Sequence, residues 1–200
     1  MLMGTVLTLG LSAHAGTVPI TFVDAPTGVN DGADYVMPYL LNINGVLTNA
    51  TCYDIFDTVT GGQSWTANEL TLSQAAATGQ FSSDANSLTD YKEVGFLSQQ
   101  ATNSAQNQID LQHDIWNVFA AGTYHVTTGM QHYLDLLATP SYTNFDFNKV
   151  LFLEDVSRRG RAQAFVIEPP TASPEPGTIV LMGAGALLIG VGTIRRQKRK

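Results

Sequence analysis

The sequence predicts an α+β domain in which an antiparallel sheet or sandwich carries a helical insertion. Apolar and polar residues alternate near the start of the central region and again near its end, as they do in half-buried strands. Between these regions, from Ser64 to about Ala138, apolar residues recur at helical spacing. Strands that flank a run of helices are typical of domains in which helices cover an antiparallel sheet.

The first strands are predicted from alternation and from one turn signal. Val18, Ile20 and Phe22 alternate with polar or small residues, and Asn44-Gly45 separates two strand-like runs. Asn-Gly favours the tight turn of a β-hairpin. The predicted strands are 17–23, 35–43, 46–55, 149–155 and 161–167, so that Cys52 lies late in the second hairpin strand.

The helical region contains one unusual glutamine. Helices are predicted over residues 67–77, 87–101, 104–120 and 129–138. At 100° per residue, Gln112 lies in the middle of the apolar stripe of the third helix, whereas Asp110, His113 and Asp114 take mostly the other face. A buried amide that lacks a hydrogen bond costs roughly 1–3 kcal/mol, so we expect Gln112 to have a partner.

Charge excludes one large class of function. Of the ten Lys and Arg residues, five lie in the last six positions, and the other 194 residues carry 17 acidic against 5 basic side chains. Such a body cannot neutralise a run of phosphates, so no nucleic-acid partner is expected.

The sequence also lacks a nucleophile elbow, a phosphate loop, a dinucleotide fingerprint and histidines at metal-ligand spacing. We therefore predict neither an enzyme nor a cofactor.

The N-terminus predicts export. Residues 1–15 are apolar and uncharged, and Ala13 and Ala15 are the small residues that a signal peptidase recognises. No Lys or Arg precedes Lys92, so a signal peptide here implies that translation starts upstream of Met1. A buried N-terminal strand is the alternative.

The C-terminus has three parts in a fixed order. Residues 168–176 are rich in proline and end in Pro174-Glu175-Pro176, residues 177–194 are uncharged and long enough to cross a bilayer as a helix, and residues 195–200 are basic. The basic residues are Arg195, Arg196, Lys198, Arg199 and Lys200. The positive-inside rule holds such a tail in the cytoplasm and the body outside.

This ending closely resembles the PEP-CTERM sorting signal of Gram-negative bacteria that make extracellular polysaccharide. The resemblance implies an exosortase as partner, a transient single-pass stage in the inner membrane, cleavage near Pro174-Glu175-Pro176 and delivery to the cell surface or the medium. A plain tail anchor is the alternative.

Two segments of the body, residues 16–167, resemble the signature segments of the thioester domains of bacterial surface adhesins. These are Thr51-Cys52-Tyr53-Asp54 and Leu111-Gln112-His113-Asp114-Ile115-Trp116. The resemblance implies that the Cys52 sulfur attacks the Gln112 side-chain amide to form an internal thioester, which Trp116 helps to shield. Surface amines would then open that thioester.

Alternatives remain open at this stage. One alternative is that Cys52 is a buried thiol beside a core glutamine. Another is that Cys52 forms a disulfide with a cysteine of a second chain, as an exported chain with a single cysteine allows. The acidic loop 30–34 near Asp24 is either a solvated turn or a weak calcium site.

We expect a structural or adhesive role in an exopolysaccharide or biofilm matrix, and the alternative is a secreted glycoside-acting enzyme or a non-covalent carbohydrate-binding module.

Overall fold

Six antiparallel strands close into a barrel in the order β1-β2-β3-β6-β5-β4. The computed structural model describes residues 16–100, 102, 104–157 and 162–169. The strands are β1 (Gly16–Asp24), β2 (Tyr39–Ile43), β3 (Val46–Cys52), β4 (Ser64–Leu70), β5 (Leu151–Asp155) and β6 (Phe165–Ile167). The predicted mixture of helices with an antiparallel sheet is confirmed, and the sheet closes into a barrel rather than forming a sandwich.

The β2–β3 hairpin forms as predicted around Asn44-Gly45. Both turn residues have positive φ, 50° and 89°, which is the conformation that Asn and Gly tolerate best. The Asn42 side chain accepts a hydrogen bond from the Gly45 amide at 2.8 Å. Strand β2 begins at Tyr39 rather than residue 35, since Pro38 precedes it and cannot donate to a sheet ladder.

Strand β4 is the main error of the sequence prediction. Residues 67–70 were expected to begin a helix, but they pair with β1 on one side and β5 on the other. The helix α1 (Leu72–Thr78) starts only after Thr71, whose side chain forms a capping box with Gln74. Strand pairing on both sides overrides local helix propensity here, and it is the pairing that closes the barrel.

The helices lie between β4 and β5 in the chain, as predicted for an insertion. Three of the four predicted helices are confirmed with shifted ends, and two short turns follow them. The elements are α2 (Ser87–Leu97), α3 (Ala105–Phe119), α4 (Thr128–Leu136), α5 (Pro140–Thr143) and a 3₁₀ turn (Phe147–Lys149). Ser104 and Thr127 cap α3 and α4 by accepting hydrogen bonds from Asn107 and Met130 amides.

One core joins the barrel to the helices. Strand residues such as Leu41 and Phe152 and helix residues such as Leu97 and Ile115 are fully buried in a single apolar cluster. Helix α1 packs against β4 and β5, and α3 packs against β3. The second of these contacts sets Gln112 of α3 beside the end of β3, where Cys52 lies.

The predicted terminal segments lie outside the described residues. They include the signal segment with Ala13 and Ala15, the sorting motif Pro174-Glu175-Pro176, the predicted span 177–194 and the basic residues of 195–200. In the ranges that are described, no helix is long and apolar enough to span a bilayer.

Candidate functional site

Cys52 occupies the last position of β3, opposite Phe165 of β6. Its side chain is fully buried, and its Sγ donates a hydrogen bond to the Asp54 carbonyl oxygen at 3.1 Å. A thiol without solvent exposure cannot meet a cysteine of a second chain unless the barrel opens. The geometry therefore disfavours the intermolecular disulfide and leaves the thioester and the inert buried thiol.

The Gln112 side-chain amide is held against the backbone of Cys52. Its Nε2 donates to the Cys52 carbonyl oxygen at 2.7 Å, and its Oε1 accepts from the Met37 amide at 3.1 Å. Gln112 has no solvent exposure, so these two bonds supply the partners that the sequence led us to expect. They also fix the amide plane, because one bond restrains each end of it.

The Met37 amide has a chemical as well as a structural effect on Gln112. An N–H group that points at a carbonyl oxygen stabilises negative charge that develops there when a nucleophile attacks the carbon. Met37 lies immediately before Pro38, between the loop 30–35 and β2. No side-chain pattern could have identified it, since its contribution is made by the backbone.

Trp116 lies one helical turn beyond Gln112 and is 1% exposed. Burial raises the pKa of the Cys52 thiol well above its usual range, the charge of Asp54 raises it further, and the Trp116 indole partly opposes both. The thiol is therefore protonated at neutral pH in a site that excludes water.

An aromatic stack covers the outer side of Trp116. The rings of His113 and Tyr124 stack at 3.6 Å between centroids, and both also stack with the Trp116 indole. His113 Nε2 lies 2.8 Å from Asp31 Oδ2 in an ion-pair geometry. These contacts tie the loop 30–35 to α3, next to the segment that carries Met37.

Asp31 organises its own loop. Its Oδ1 accepts hydrogen bonds from the Ala33 and Asp34 amides, each at 2.8 Å. Burial works to raise the pKa of Asp31, but the hydrogen bonds from Asp34, His113 and Ala33 outweigh it and lower the pKa. Of the two predictions for loop 30–34, the geometry favours the turn, and the described residues contain no cluster of three metal-ligating side chains. The turn is held by His113 rather than simply solvated, a pairing that the sequence did not indicate.

The predicted outer face of α3 is partly wrong. Asp110 and Asp114 were expected to lie mostly away from the apolar stripe, but they are only 5% and 1% exposed. Helix α4 packs against this face of α3 and covers it, and Asp110 accepts a hydrogen bond from Thr127 at the start of α4. A helix that is covered on two sides buries polar residues that a single stripe would leave in solvent.

Comparisons with known proteins identify no relative. No protein-family model, no curated protein and no solved structure matches this chain.

Proposed function

We propose that this protein is an exported surface protein that attaches covalently to amines of its surroundings through a thioester between Cys52 and Gln112. The observation that carries the proposal is the pair of hydrogen bonds that hold the Gln112 amide between the Met37 amide and the Cys52 carbonyl oxygen. A core glutamine needs partners of some kind. These two partners also fix the Gln112 amide against the backbone carbonyl of the only cysteine of the chain, and the proposed reaction moves the Cys52 sulfur from its contact with Asp54 onto Gln112 Cδ.

Formation of the thioester is balanced without an external reagent. The Cys52 sulfur attacks Cδ of Gln112, negative charge on Oε1 is stabilised by the Met37 amide, and the carbon–nitrogen bond then breaks. The proton of the thiol leaves with the nitrogen, which departs as ammonia. Burial raises the pKa of Cys52 and holds it as the thiol, so this proton has to pass to the departing nitrogen as the sulfur attacks.

The thioester would be consumed once, by an amine. The amine nitrogen attacks the Gln112 carbonyl carbon, the carbon–sulfur bond breaks, and the sulfur takes up the proton that the amine loses. The product joins Gln112 to its partner through an amide and restores the Cys52 thiol. Burial behind Trp116 and the His113–Tyr124 stack would protect the thioester from hydrolysis until then.

Intact mass tests the bond directly. We expect the purified full chain to be lighter than its sequence mass by one ammonia, and methylamine to replace that loss with an adduct on Gln112. A Cys52→Ala control should have full mass and no adduct. Full mass with a free thiol in the wild-type protein would refute the covalent mechanism and leave an inert buried cysteine.

The export and sorting part of the proposal rests on the terminal sequences. An exosortase would act on the chain in the inner membrane and deliver the body to the cell surface or into an exopolysaccharide matrix, where amines are available. The role is then structural or adhesive and not that of an enzyme, because each molecule reacts once.

A second candidate function, action on a glycoside, is favoured by one observation. Asp24 and Asp34 line the same cavity, and glycosidases use two carboxylates that flank the scissile bond. Release of reducing ends from exopolysaccharide by the wild-type protein but not by an Asp34→Asn variant would identify this activity.

A further inference from the structure

A cavity of about 420 Å³ opens between the end of β1, the start of β2 and three loops. Its volume falls in the range of small-molecule sites in proteins. The polar and aromatic part of its lining includes Asp24, Asp34, Tyr35, Tyr39, Thr58 and Gln163.

Two lining residues connect this cavity to Cys52. Gln163 Nε2 donates to the Asp54 carbonyl oxygen at 3.4 Å, and this is the oxygen that also accepts the Cys52 thiol. The Tyr39 ring packs edge-on against Phe165 with centroids 5.6 Å apart, and Phe165 is the cross-strand neighbour of Cys52. The inner wall of the cavity is therefore one side chain away from the thiol.

The lining is suited to a cation. Asp24 and Asp34 are the charged side chains of the cavity, and neither is in an ion pair with any described residue. Asp24 Oδ1 accepts a hydrogen bond from the Ala25 backbone amide, and this bond does not involve the second carboxylate oxygen of Asp24. Tyr35 is 56% exposed at the same cavity, so its ring face is available to a cation as well.

We propose that this cavity binds the incoming amine and selects diamines, polyamines and basic peptide segments over amines with a single positive charge. The inference rests on the proposed thioester. The attacking nitrogen must be neutral, so a carboxylate that held that same nitrogen as ammonium would slow the reaction. A second cationic group of the same molecule can stay charged against Asp24 and Asp34 while the free amine reaches Gln112.

A smaller cavity offers the amine a second path to the Cys52–Gln112 pair, and a carboxylate in its lining provides a control substitution. It has a volume of about 160 Å³ and is lined by Met37 and Thr51, which also adjoin the Cys52–Gln112 pair, and by the exposed carboxylate of Glu168. Neutralising Glu168 changes the charge by as much as neutralising Asp34 does, but in the other cavity.

The experiment compares two amines of similar chain length and basicity, cadaverine and pentylamine, on the full chain. The rate of adduct formation is followed by intact mass at low ionic strength. We expect cadaverine to react about tenfold faster than pentylamine, and we expect added salt to reduce this ratio. Asp34→Asn alone, which matches Glu168→Gln in charge, should lower this ratio, and the Asp24→Asn/Asp34→Asn variant should react with both amines at similar rates. Glu168→Gln should keep the wild-type ratio.

The outcomes separate the cavity from the thioester. Equal rates for the two amines in the wild-type protein, or a preference abolished by Glu168→Gln alone, would overturn the cavity proposal and leave the thioester intact. If no chain loses ammonia, the thioester is refuted. Calorimetric titration of cadaverine into Cys52→Ala protein then tests the cavity alone. Binding that the Asp24→Asn/Asp34→Asn changes remove would support a cation site, and an absence of binding would overturn it.

Discussion

The Asp114 carboxylate is buried on α3, and neither oxygen has a hydrogen-bond partner among the described residues. Burial raises its pKa to about 7, and the nearby charge of Asp110 contributes in the same direction. Tyr133 of α4 also faces the pair, since burial raises its pKa and the charges of Asp110 and Asp114 raise it further. The folded chain therefore holds a proton at this position up to neutral pH.

The raised pKa predicts that stability falls as pH rises. The folded protein binds the Asp114 proton more tightly than the unfolded chain, so this contribution is complete below about pH 4 and is lost as pH rises to about 7. An Asp114→Asn variant keeps the shape without the charge. We expect it to be more stable than wild type by about 2 kcal/mol at pH 8 and nearly equal at pH 4, as measured by urea unfolding.

A comparison with Asp110→Asn provides the control. Asp110 accepts hydrogen bonds from Gln106 and Thr127, so removal of its charge also weakens those contacts. That variant should not gain stability at pH 8. A difference between Asp114→Asn and wild type that is the same at both pH values would contradict the assignment of the buried charge.

At the candidate site, the reactive residues could be predicted from the sequence, but the groups that contact them could not. The position of Gln112 in an apolar stripe and the single cysteine in a hairpin strand were visible in the sequence, and the structure brings the two together. The amide of Met37 and the pairing of Asp31 with His113 depend on how loop 30–37 folds back onto α3. Contacts between residues 75 and 82 positions apart leave no local pattern to detect.

Among the elements, β5 is joined to the start of the helical region through the buried side chain of Glu154. Its carboxylate accepts hydrogen bonds from the Tyr53 and Tyr91 hydroxyls, each at 2.7 Å, and from the Gln80 amide at 2.6 Å. The chain turns at Gly79 directly beside this cluster. A Cβ on Gly79 would lie 2.5 Å from the Tyr91 hydroxyl and 2.8 Å from the Glu154 carboxylate.

The close approach at Gly79 predicts a destabilising effect of a single methyl group. Gly79→Ala should lower the free energy of unfolding by about 2 kcal/mol, because the methyl group forces apart Tyr91 and Glu154. Gly61→Ala is the matched control, since the nearest atom to its Cβ would be 3.9 Å away. That change should lie within about 0.5 kcal/mol of wild type in the same urea titration. Equal losses in the two variants would show that the Glu154 cluster is not tightly packed.

The helices could be predicted from local sequence patterns more readily than strand β4. Helices α2, α3 and α4 were predicted because their apolar spacing persists over several turns. Strand β4 was assigned to a helix at residues 67–70, because its stability comes from pairing with β1 and β5 at distant positions in the chain. The missing strand also explains why a barrel was not anticipated, since β4 joins β1 and β5, the two edges of the sheet that the other five strands form.

For the whole molecule, the sorting proposal predicts the fate of the chain in a host that has an exosortase. The wild-type body should appear at the cell surface or in the medium in a shortened form. A variant with Pro174, Glu175 and Pro176 all changed to Ala should stay at full length in the inner-membrane fraction. A Pro169→Ala/Pro170→Ala variant controls for loss of proline in the same linker and should be processed normally. Identical processing of the motif variant would contradict sorting through this motif.

The ring of six strands has a further consequence for a protein that is displayed at high density. In an open sheet, the outermost strands present unpaired amide and carbonyl groups that can pair with a neighbouring molecule and start aggregation. Here each strand has a neighbour on both sides, from β1 beside β4 to β3 beside β6. Within the described residues, copies crowded side by side in a matrix would therefore offer one another only short unpaired stretches, such as residues 46–49 of β3. Covalent capture through Gln112 could then proceed with little competing self-association of the sheets.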